Sequence, residues 1–419
     1  MDILIQPAKL TGTIQAMPSK SHAHRLLIAQ KLAQLQGHAR NDTPDIPTFS
    51  DDIAATKNCL VQLDKEMPFL DCKESGSTLR FMLPVAMALK GEAVFIGTGK
   101  LPYRPLSPLK EEMEAHGCRF YINSNQRRSD KYKEICTIRG RLMAGEYRLA
   151  GNISSQFITG LLFALPLLDG DSVLRLTTAL ESAGYVDMTL DVLRAFGIEI
   201  RCAISDEGFN IYEIPGNQSY IEPAEPAIEG DWSNASFWLA CGALGGKVTV
   251  TGLDETSSQR DREIIDALKE MGAEVLTGDG ITVSCPDGLK GTEVSVAQTP
   301  DMVPVLAAVM SVANGASMIT NAERLKIKES DRLRTVHDFL SRLGADITHG
   351  GTSLSLTGVN SLEGGEVSSH NDHRIAMAAA AASCACTSPV IIRGADAVKK
   401  SYPDFFKDFA ALGGVVKEI

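Results

Sequence analysis

The sequence predicts an α/β (α+β) protein of two lobes, with apolar helices inside each lobe and sheets on the outside. Three observations lead to this fold class. The chain has 419 residues, which is too long for one ordinary hydrophobic core. Segments typical of amphipathic helices recur at nearly constant spacing, and they alternate with helices that are apolar nearly all round. Six copies of this unit would place three in each lobe.

The first recurring segment is an amphipathic helix that ends at a glycine and precedes a short apolar strand. The closing glycines lie 80, 75, 72 and 69 residues apart. Glycine just after a helix indicates a left-handed terminating residue. A sixth, weaker copy spans 55–64, where no glycine closes the helix. The clear copies are MEAHGCRF with Gly117, LRAFGIEI with Gly197, LKEMGAEV with Gly272, LSRLGADI with Gly344 and FAALGGVVKEI with Gly413.

The second recurring segment starts with polar, often cationic residues and continues as a helix without a polar face, which must therefore be buried. If these helices run parallel within a lobe, their amino termini converge on one face. Helix dipoles and backbone N–H groups on that face would attract phosphate and carboxylate. The six copies are PSKSHAHRLLIAQKLA, KESGSTLRFMLPVAMAL, GNISSQFITGLLFALPLL, GDWSNASFWLACGAL, TPDMVPVLAAVMSVA and HNDHRIAMAAAAASCA.

Composition and charge exclude several classes of protein. The chain is 44% apolar and 22% charged, as expected for a globular protein rather than a disordered one. Its formal net charge of −11 disfavours nucleic acid and anionic membranes as partners. The apolar runs are shorter than the roughly 20 residues that cross a bilayer, and MDILIQPAKL does not resemble a signal peptide. We therefore expect a cytoplasmic protein.

Cysteines and histidines do not form a recognisable metal or disulfide pattern. The nine cysteines include no C-x-x-C pair. Cys384 and Cys386 lie among small residues, where thiols usually act as packed apolar groups. His22 with His24, and the similar pair at 370 and 373, could be metal ligands, but no third ligand is evident. We therefore expect no metal.

Candidate functional residues lie at the starts of the buried helices and in a few loops. Arginine suits two-point recognition of phosphate and carboxylate, whereas lysine acts as a movable point charge. Each motif alone is typical of an ordinary cap or a solvated charge run, and QRRSDKYK at 126–133 is interpreted as a solvated turn. Recurrence at corresponding repeat positions instead indicates a site for polyanions. The helix starts contribute Lys20, Ser21, Arg25, Ser75, Gly76, Ser77, Arg80, Ser154, Ser155, Gln156, Asp372, His373 and Arg374, and the loops contribute Arg104, Ser182, Tyr185, Lys328, Glu329, Arg332 and Lys400.

Eight of these motifs together resemble the enolpyruvyl transferase family. They are PSKSHAHR, SGSTLR, YRPLSPL, ISSQF, ESAGYVD, KIKESDR, NDHRIAM and KKSYPDF, which follow the family order from residue 18 to 405. The resemblance implies a two-lobe inside-out α/β barrel, each lobe with three βαβαββ-like repeats, buried parallel helices and outer sheets. The carboxy-terminal lobe would contain 1–12 and 229–419, and the amino-terminal lobe 13–228.

The implied activity is transfer of the enolpyruvyl group of phosphoenolpyruvate to the 5-hydroxyl of shikimate 3-phosphate, with release of phosphate, on the shikimate pathway to chorismate and aromatic amino acids. The resemblance implies that shikimate 3-phosphate is bound by Lys20, Ser21, Arg25, Ser154, Ser155, Gln156, Ser182, Tyr185, Asp301 and Lys328. It implies that phosphoenolpyruvate is bound by Lys20, Gly76, Arg104, Gln156, Arg332, Arg374 and Lys400.

The resemblance also implies how protons move. Asp301 would act as base toward the attacking hydroxyl, Glu329 would transfer a proton at the methylene carbon, and Lys20 is a further proton shuttle. Arginines around the leaving phosphate would stabilise its charge. No metal or organic cofactor is implied, and the partners are the two small substrates, with a monomeric enzyme and neither nucleic acid nor membrane.

The sequence departs from the family pattern at a few positions. Glu74 stands where many members have asparagine, and Arg324 stands where some have an asparagine that touches substrate. Ser77 and Phe81 replace a usual threonine and proline. These departures bear on the shape of the phosphoenolpyruvate pocket and on the response to glyphosate, the known inhibitor of such enzymes.

Two alternatives remain at this point. The first is the sister enzyme that uses UDP-N-acetylglucosamine, which commonly carries a reactive cysteine in the loop corresponding to GTGKLPYRPLSP, where this chain has none. The second is a non-catalytic sensor of phosphorylated metabolites. A sensor would be expected to lose Asp301, Glu329 or Lys20, all of which are present.

Overall fold

A computed structural model describes residues 1–40, 46–122, 133–224 and 226–419. The predicted turn at 126–133 lies outside these residues, apart from Lys133. The α-helices of the described residues are α1 (Lys20–Leu35), α2 (Asp51–Gln62), α3 (Gly76–Leu89), α4 (Leu109–Ala115), α5 (Ser155–Ala164), α6 (Ala183–Ala195), α7 (Trp232–Ala243), α8 (Ile264–Glu270), α9 (Val303–Met310), α10 (Arg332–Arg342), α11 (His373–Ala382) and α12 (Phe405–Ala411).

The strands are short and lie between these helices. They are β1 (Ile3–Gln6), β2 (Thr11–Gln15), β3 (Phe69–Asp71), β4 (Glu92–Gly97), β5 (Arg119–Tyr121), β6 (Lys133–Arg139), β7 (Glu146–Leu149), β8 (Ser172–Leu176), β9 (Arg201–Ile204), β10 (Asn210–Ile214), β11 (Lys247–Thr251), β12 (Glu274–Leu276), β13 (Ile281–Ser284), β14 (Glu293–Ser295), β15 (Ala316–Thr320), β16 (Asp346–His349), β17 (Leu354–Thr357), β18 (Gly365–Ser368), β19 (Val390–Arg393) and β20 (Val415–Glu418). Short 3-10 helices span Leu101–Tyr103, Leu165–Leu167, Arg260–Glu263, Pro300–Met302, Glu323–Ile327, Ser383–Ala385 and Ala395–Lys400.

The chain divides into two compact units. The C-terminal unit contains Met1–Ser19 and Glu229–Ile419, and the N-terminal unit contains Lys20–Ile228. β2 pairs in parallel with β11 over its whole length, so residues 13–19 lie with the C-terminal unit. The sequence-based boundary after residue 12 assigned them to the other lobe. Thr13 pairs with Thr249, which lies 236 residues further along the chain. A pairing over this distance cannot be recognised from the neighbouring residues in the sequence, so the predicted boundary did not include it.

The C-terminal unit contains three four-stranded sheets of one recurring topology, in the orders β12-β13-β11-β2, β14-β15-β17-β16 and β18-β19-β1-β20. In each sheet, one pair of neighbouring strands is parallel, and the other two pairs are antiparallel. The first strand of the chain, β1, lies between β19 and β20 and pairs antiparallel with both. The start of the chain therefore completes the last repeat.

The N-terminal unit contains two sheets of the same topology, β3-β4-β6-β5 and β7-β8-β10-β9. Its remaining copy of the repeat consists of α1 and α2, and within 20–40 and 46–68 no strand accompanies them. This is the copy whose sequence signal was weakest, at 55–64. The repeat count from sequence thus holds for helices more completely than for strands.

The predicted glycine terminators adopt the conformation that the sequence required. Gly117, Gly197, Gly272, Gly344 and Gly413 all have positive φ, between 78° and 97°. Each follows an amphipathic helix, namely α4, α6, α8, α10 or α12. Since a side chain at such φ clashes with the backbone, glycine ends these helices at low cost.

Helices form the interior of each unit. Every residue of α7 and α9 is buried, as is every residue of the alanine-rich α11, and these helices contact one another. In the same unit Trp238 stacks on Phe405 with ring centroids 4.7 Å apart. Strands such as β4 instead alternate buried and partly exposed residues, as expected for a sheet with one face on the core. The predicted mixed fold, with apolar helices inside and sheets outside, is confirmed within each unit.

Among the described residues, no helix combines the length and apolar character needed to cross a bilayer.

Candidate functional site

Lys20 is the first residue of α1, and its position is set by a carboxylate that the sequence did not reveal. Its Nζ donates to Asp52 Oδ2 over 2.9 Å, and both side chains are about 15% exposed. Asp52 lies in the first turn of α2, where an acidic residue looks like an ordinary helix start. The pairing only becomes visible once α1 and α2 pack together.

Arg25 connects several predicted residues of the N-terminal unit. Its guanidinium donates to the backbone oxygens of Ser21 and Tyr185, at 2.6 and 2.7 Å, and its Nε donates to Thr189 Oγ1 at 2.8 Å. It also lies 5.3 Å from the centre of the Phe81 ring. Arg25 is 2% exposed, so this side chain orders the starts of α1 and α6 from inside the unit.

The first histidine pair lies in a largely buried environment. His24 is buried and its Nδ1 lies 2.7 Å from Thr56 Oγ1, while burial lowers its pKa well below the usual value, with help from the charges of Lys20 and Arg25. Burial also lowers the pKa of His22 to about 4. Both rings are therefore neutral at pH 7. Within the described parts of the chain, no group of three or more His, Cys, Asp or Glu side chains is placed to hold a metal.

Gly76 begins α3 at a crowded position. A Cβ built on it would overlap the Arg104 guanidinium and lie 3.1 Å from Arg80 Nη1. Ser75 caps the helix by accepting a hydrogen bond from the Thr78 amide at 3.2 Å. The absence of a side chain at Gly76 thus allows two arginines to approach the amino terminus of α3.

Gln156, the second residue of α5, is fixed by this arginine cluster. Arg80 Nη1 donates to Gln156 Oε1 at 2.6 Å, and Gln156 Nε2 donates to Ser77 Oγ at 2.9 Å. Because a guanidinium can only donate, the amide oxygen must face Arg80. The amide orientation of Gln156 is therefore defined, and it links the starts of α3 and α5.

The predicted serines at the starts of α5 and α6 differ in backbone conformation. Ser154 precedes α5 in an extended conformation and its side chain makes no capping hydrogen bond, while Ser155 is the first residue of the helix. Ser182 precedes α6 with a left-handed φ of 55° and is 1% exposed. A non-glycine residue in this conformation is uncommon and marks a backbone held by its surroundings.

The predicted residues of the C-terminal unit meet around Asp301. Its carboxylate lies 3.1 Å from Lys328 Nζ, 2.6 Å from Arg332 Nη1 and 3.6 Å from Arg374 Nη2. Burial favours the neutral acid, but the charges of Arg374, Lys328 and Arg332 prevail and hold the pKa of Asp301 well below its usual value. Asp301 is therefore ionised at neutral pH.

Arg332 organises the carboxylates of this unit. It donates to Glu329 at 2.6 Å and to Asp372 at 2.8 Å, in addition to Asp301. Arg332 is 1% exposed and Asp372 is fully buried. Burial disfavours the charged guanidinium, yet these carboxylates raise its pKa further above the usual value. Burial lowers the pKa of Lys328 in the same cluster.

Ser233 and Asp261 lie beside Arg374, and the sequence analysis did not predict either residue as part of the site. Arg374 Nη2 donates to Ser233 Oγ at 2.7 Å and its Nη1 donates to the Asp301 carbonyl at 3.1 Å. Asp261 is buried beside this arginine, and burial raises its pKa to about 6. In the sequence, Asp261 lies in QRDRE and resembles a solvated charge run.

Lys400 ends the 3-10 helix Ala395–Lys400 and donates to the Asn371 carbonyl at 2.8 Å. Asn371 immediately precedes Asp372, the residue that caps α11 by accepting from the Arg374 amide at 3.0 Å. Lys400 is thus joined through backbone to the helix start that carries Arg374.

The departures from the family pattern lie close to these clusters. A Cβ at Gly99 would lie 2.6 Å from Glu74 Oε1, so the Glu74 carboxylate packs over this glycine. Arg324 lies in the 3-10 helix Glu323–Ile327, and its charge contributes to the lowered pKa of Lys328.

The chain is similar to known proteins over nearly its whole length. The family described as EPSP synthase (3-phosphoshikimate 1-carboxyvinyltransferase) matches residues 4–409. A Clostridium kluyveri protein named 3-phosphoshikimate 1-carboxyvinyltransferase is 42% identical over 435 residues, covering 99% of this chain and 98% of its own. A Clostridioides difficile protein of the same name is 40% identical, covering 99% and 98%.

Solved structures share the fold at lower identity. EPSP synthase from Acinetobacter baumannii superposes with a TM-score of 0.76 at 21% identity, covering 100% of both chains. The enolpyruvyl transferase NikO from Streptomyces tendae gives a TM-score of 0.71 at 16% identity, covering 99% of this chain and 98% of that one.

Proposed function

We propose that the clustered residues of each unit bind the substrates. The chain belongs to the EPSP synthase (3-phosphoshikimate 1-carboxyvinyltransferase) family. The protein is an enzyme that transfers the enolpyruvyl group of phosphoenolpyruvate to shikimate 3-phosphate. The new bond joins the 5-hydroxyl oxygen to the central carbon of phosphoenolpyruvate, and inorganic phosphate leaves with the broken C–O bond. The UDP-N-acetylglucosamine alternative is not favoured by these relatives.

Phosphoenolpyruvate requires cations for a phosphate and a carboxylate. The proposed ligands in the N-terminal unit are Lys20, Gly76, Arg104 and Gln156, and those in the C-terminal unit are Arg332, Arg374 and Lys400. The close packing of Arg104 over Gly76 supports this assignment, since only glycine lets the guanidinium and the amino terminus of α3 approach one anion.

Shikimate 3-phosphate offers a phosphate, a carboxylate and hydroxyls. Its proposed ligands are Lys20, Ser21, Arg25, Ser154, Ser155, Gln156, Ser182, Tyr185, Asp301 and Lys328. Arg25 supports the assignment because it gathers Ser21 and Tyr185, and because it also lies 3.4 Å from Thr159 of α5. Hydroxyls and a planar guanidinium on neighbouring helix starts are suited to a phosphate oxygen cluster.

Proton transfer is proposed to involve Asp301, Glu329 and Lys20. With three cations beside it, Asp301 is a weak base before substrates arrive. Anionic substrates that bind Lys328, Arg332 and Arg374 would compensate those charges and raise the basicity of Asp301 toward the attacking hydroxyl. Glu329, held by Arg332 at 2.6 Å, would exchange a proton at the methylene carbon, and Lys20 would act as a further shuttle.

The observation that carries the proposal is the meeting of Lys328, Arg332 and Arg374 at one ionised carboxylate, Asp301. Purified protein mixed with both substrates in EDTA should release one phosphate per carboxyvinyl product, detected by mass spectrometry. Omitting shikimate 3-phosphate, or replacing it with UDP-N-acetylglucosamine, should abolish release. Phosphate release that requires an added metal, or that persists without shikimate 3-phosphate, would contradict the proposed chemistry.

We further propose a cytoplasmic, monomeric enzyme. Light scattering coupled to size exclusion should give a mass near the 45.0 kDa of one chain. A mass of twice this value or more, independent of concentration, would exclude the monomer.

A further inference from the structure

The turn between β18 and α11 has an unusual backbone. His370 and Asn371 follow each other with φ of 52° and 58°, both in the left-handed region. Residues with a side chain rarely adopt this conformation, although asparagine tolerates it better than most. Two successive residues of this kind require contacts that hold the backbone in place.

Serine side chains supply part of that support. The amide of His370 donates to Ser368 Oγ at 3.1 Å, and the amide of Asn371 donates to Ser369 Oγ at 3.2 Å. Ser369 Oγ in turn donates to the Gly394 carbonyl at 2.7 Å. Gly394 immediately precedes the 3-10 helix that ends at Lys400.

Lys400 contacts the same turn from the other end of that helix. Its Nζ donates to the carbonyl of Asn371 at 2.8 Å. The 3-10 helix is thus joined to the turn at both of its ends, through Ser369 and through Asn371. The direction of the Asn371 carbonyl, which the left-handed backbone determines, therefore helps to set where the Lys400 amine lies.

The side chain of His370 adds a contact from α10. Its Nε2 lies 3.1 Å from Asp338 Oδ2, and Arg342 Nε donates to the other oxygen at 3.2 Å. Burial opposes ionisation of Asp338, but the hydrogen bonds from His370 and Arg342 outweigh it and lower the pKa of this carboxyl. Because an ionised carboxylate only accepts, His370 Nε2 must carry the proton.

The helix that supplies Asp338 also supplies Arg332. Arg332 begins α10 and binds Asp372, the residue after Asn371, whereas Asp338 lies further along the same helix. α10 therefore holds the turn at two points, one on each side of the Asn371 carbonyl.

We infer that His370 and Asp338 are positioning residues, which place the Lys400 amine by fixing the turn whose carbonyl it contacts. This inference rests on the proposed role of Lys400 in binding phosphoenolpyruvate. The described contacts link His370 to Lys400 through the backbone of Asn371, so its effect should be largest on the ligand that Lys400 binds. Binding of shikimate 3-phosphate should change much less.

The first experiment reads the position of Lys400 without using activity. Lysines are acetylated with a limiting amount of acetic anhydride, and labelling of Lys400 is compared with that of its exposed neighbour Lys399 by fragmenting the peptide that contains both. His370→Ala should raise the ratio of Lys400 to Lys399 labelling at least threefold over wild type, while His370→Gln, which retains a donor, should restore part of the protection. An unchanged ratio in His370→Ala overturns the inference, whether or not the enzyme is active.

The second experiment measures KM for each substrate by phosphate release. His370→Ala should raise KM for phosphoenolpyruvate about tenfold, since partial loss of a charge-assisted contact corresponds to roughly this factor. KM for shikimate 3-phosphate should stay within about twofold. His349→Ala, an exposed histidine in the same unit, is the matched control and should change neither value.

A double variant separates this inference from the proposed function. In a Lys400→Ala background, His370→Ala should no longer change KM for phosphoenolpyruvate; a full additional effect would show that His370 does not act through Lys400. If wild type releases no phosphate, the proposed function fails and the labelling ratio alone decides the positioning. If His370→Ala does not fold, Asp338→Ala removes the same contact from α10 and must give the same labelling change.

Discussion

Replacing Gly76 with alanine tests whether the crowding at the start of α3 serves phosphoenolpyruvate. The added Cβ would overlap the Arg104 guanidinium and lie 3.1 Å from Arg80 Nη1. The Arg104 atoms that would be overlapped belong to the guanidinium at the end of a flexible side chain. This side chain should rotate away, and the backbone of the fold should remain unchanged. The displacement would remove one charge-assisted hydrogen bond to the substrate, worth roughly 1.5–3 kcal/mol.

That loss corresponds to a rise in KM for phosphoenolpyruvate of about 10- to 150-fold. Stability should change little, because Gly76 is the first residue of α3 and does not have the positive φ that would require glycine. The assay is steady-state phosphate release with each substrate varied in turn, together with thermal unfolding of the same preparation.

Gly91→Ala is the matched control, because a Cβ there meets nothing within 4 Å. It should leave both KM values unchanged. The reasoning is refuted if Gly76→Ala folds normally and its KM for phosphoenolpyruvate stays within twofold of wild type, or if the two KM values rise together.

Three further perturbations test the C-terminal unit. Glu329→Gln should retain binding of both substrates by calorimetry yet lose about 10²- to 10⁴-fold in kcat, as for removal of a general acid or base; equal loss of binding and turnover would contradict that role. Asp372→Asn should lower the free energy of unfolding in urea by about 3 kcal/mol, because it removes a buried partner of Arg332; a loss below 1 kcal/mol would show that the ion pair contributes little. For Asp261, the folded pKa of about 6 exceeds the usual 3.8, so its contribution to stability is complete below pH 3.8 and is lost as pH rises through 6. Asp261→Asn should therefore gain stability relative to wild type between pH 4 and pH 7, by at most about 3 kcal/mol, whereas the exposed Asp287→Asn should show no such trend.

Local signals were sufficient for the repeat and for most of the helices. The residue that ends a helix in the left-handed conformation is usually glycine, so a single residue type marks the helix end. This allowed recognition of Gly117, Gly197, Gly272, Gly344 and Gly413. Helices such as α9 and α11 were predictable as buried because apolar residues cover every face. Both properties depend on neighbours within a few residues, so the sequence displays them directly.

The pairing partners of the strands were harder to predict from the sequence. β1 completes a sheet with β19 and β20 almost 400 residues away, as in the pairing of Ile3 with Ile392. β2 joins β11 and so moves residues 13–19 into the C-terminal unit. Short strands carry little periodic information, and their pairing is determined by which edges the packed helices leave available.

The sequence by itself determined the fold class, the family and the positions of the cationic helix starts. Only the tertiary structure decided which carboxylate accompanies each cation, since Asp52, Asp261 and Asp372 lie far along the chain from Lys20, Arg374 and Arg332. The physical reason is that the charge state and direction of a buried side chain depend on groups within a few ångströms in space. Helix packing brings those groups together, and no local pattern of residues records which of them will meet.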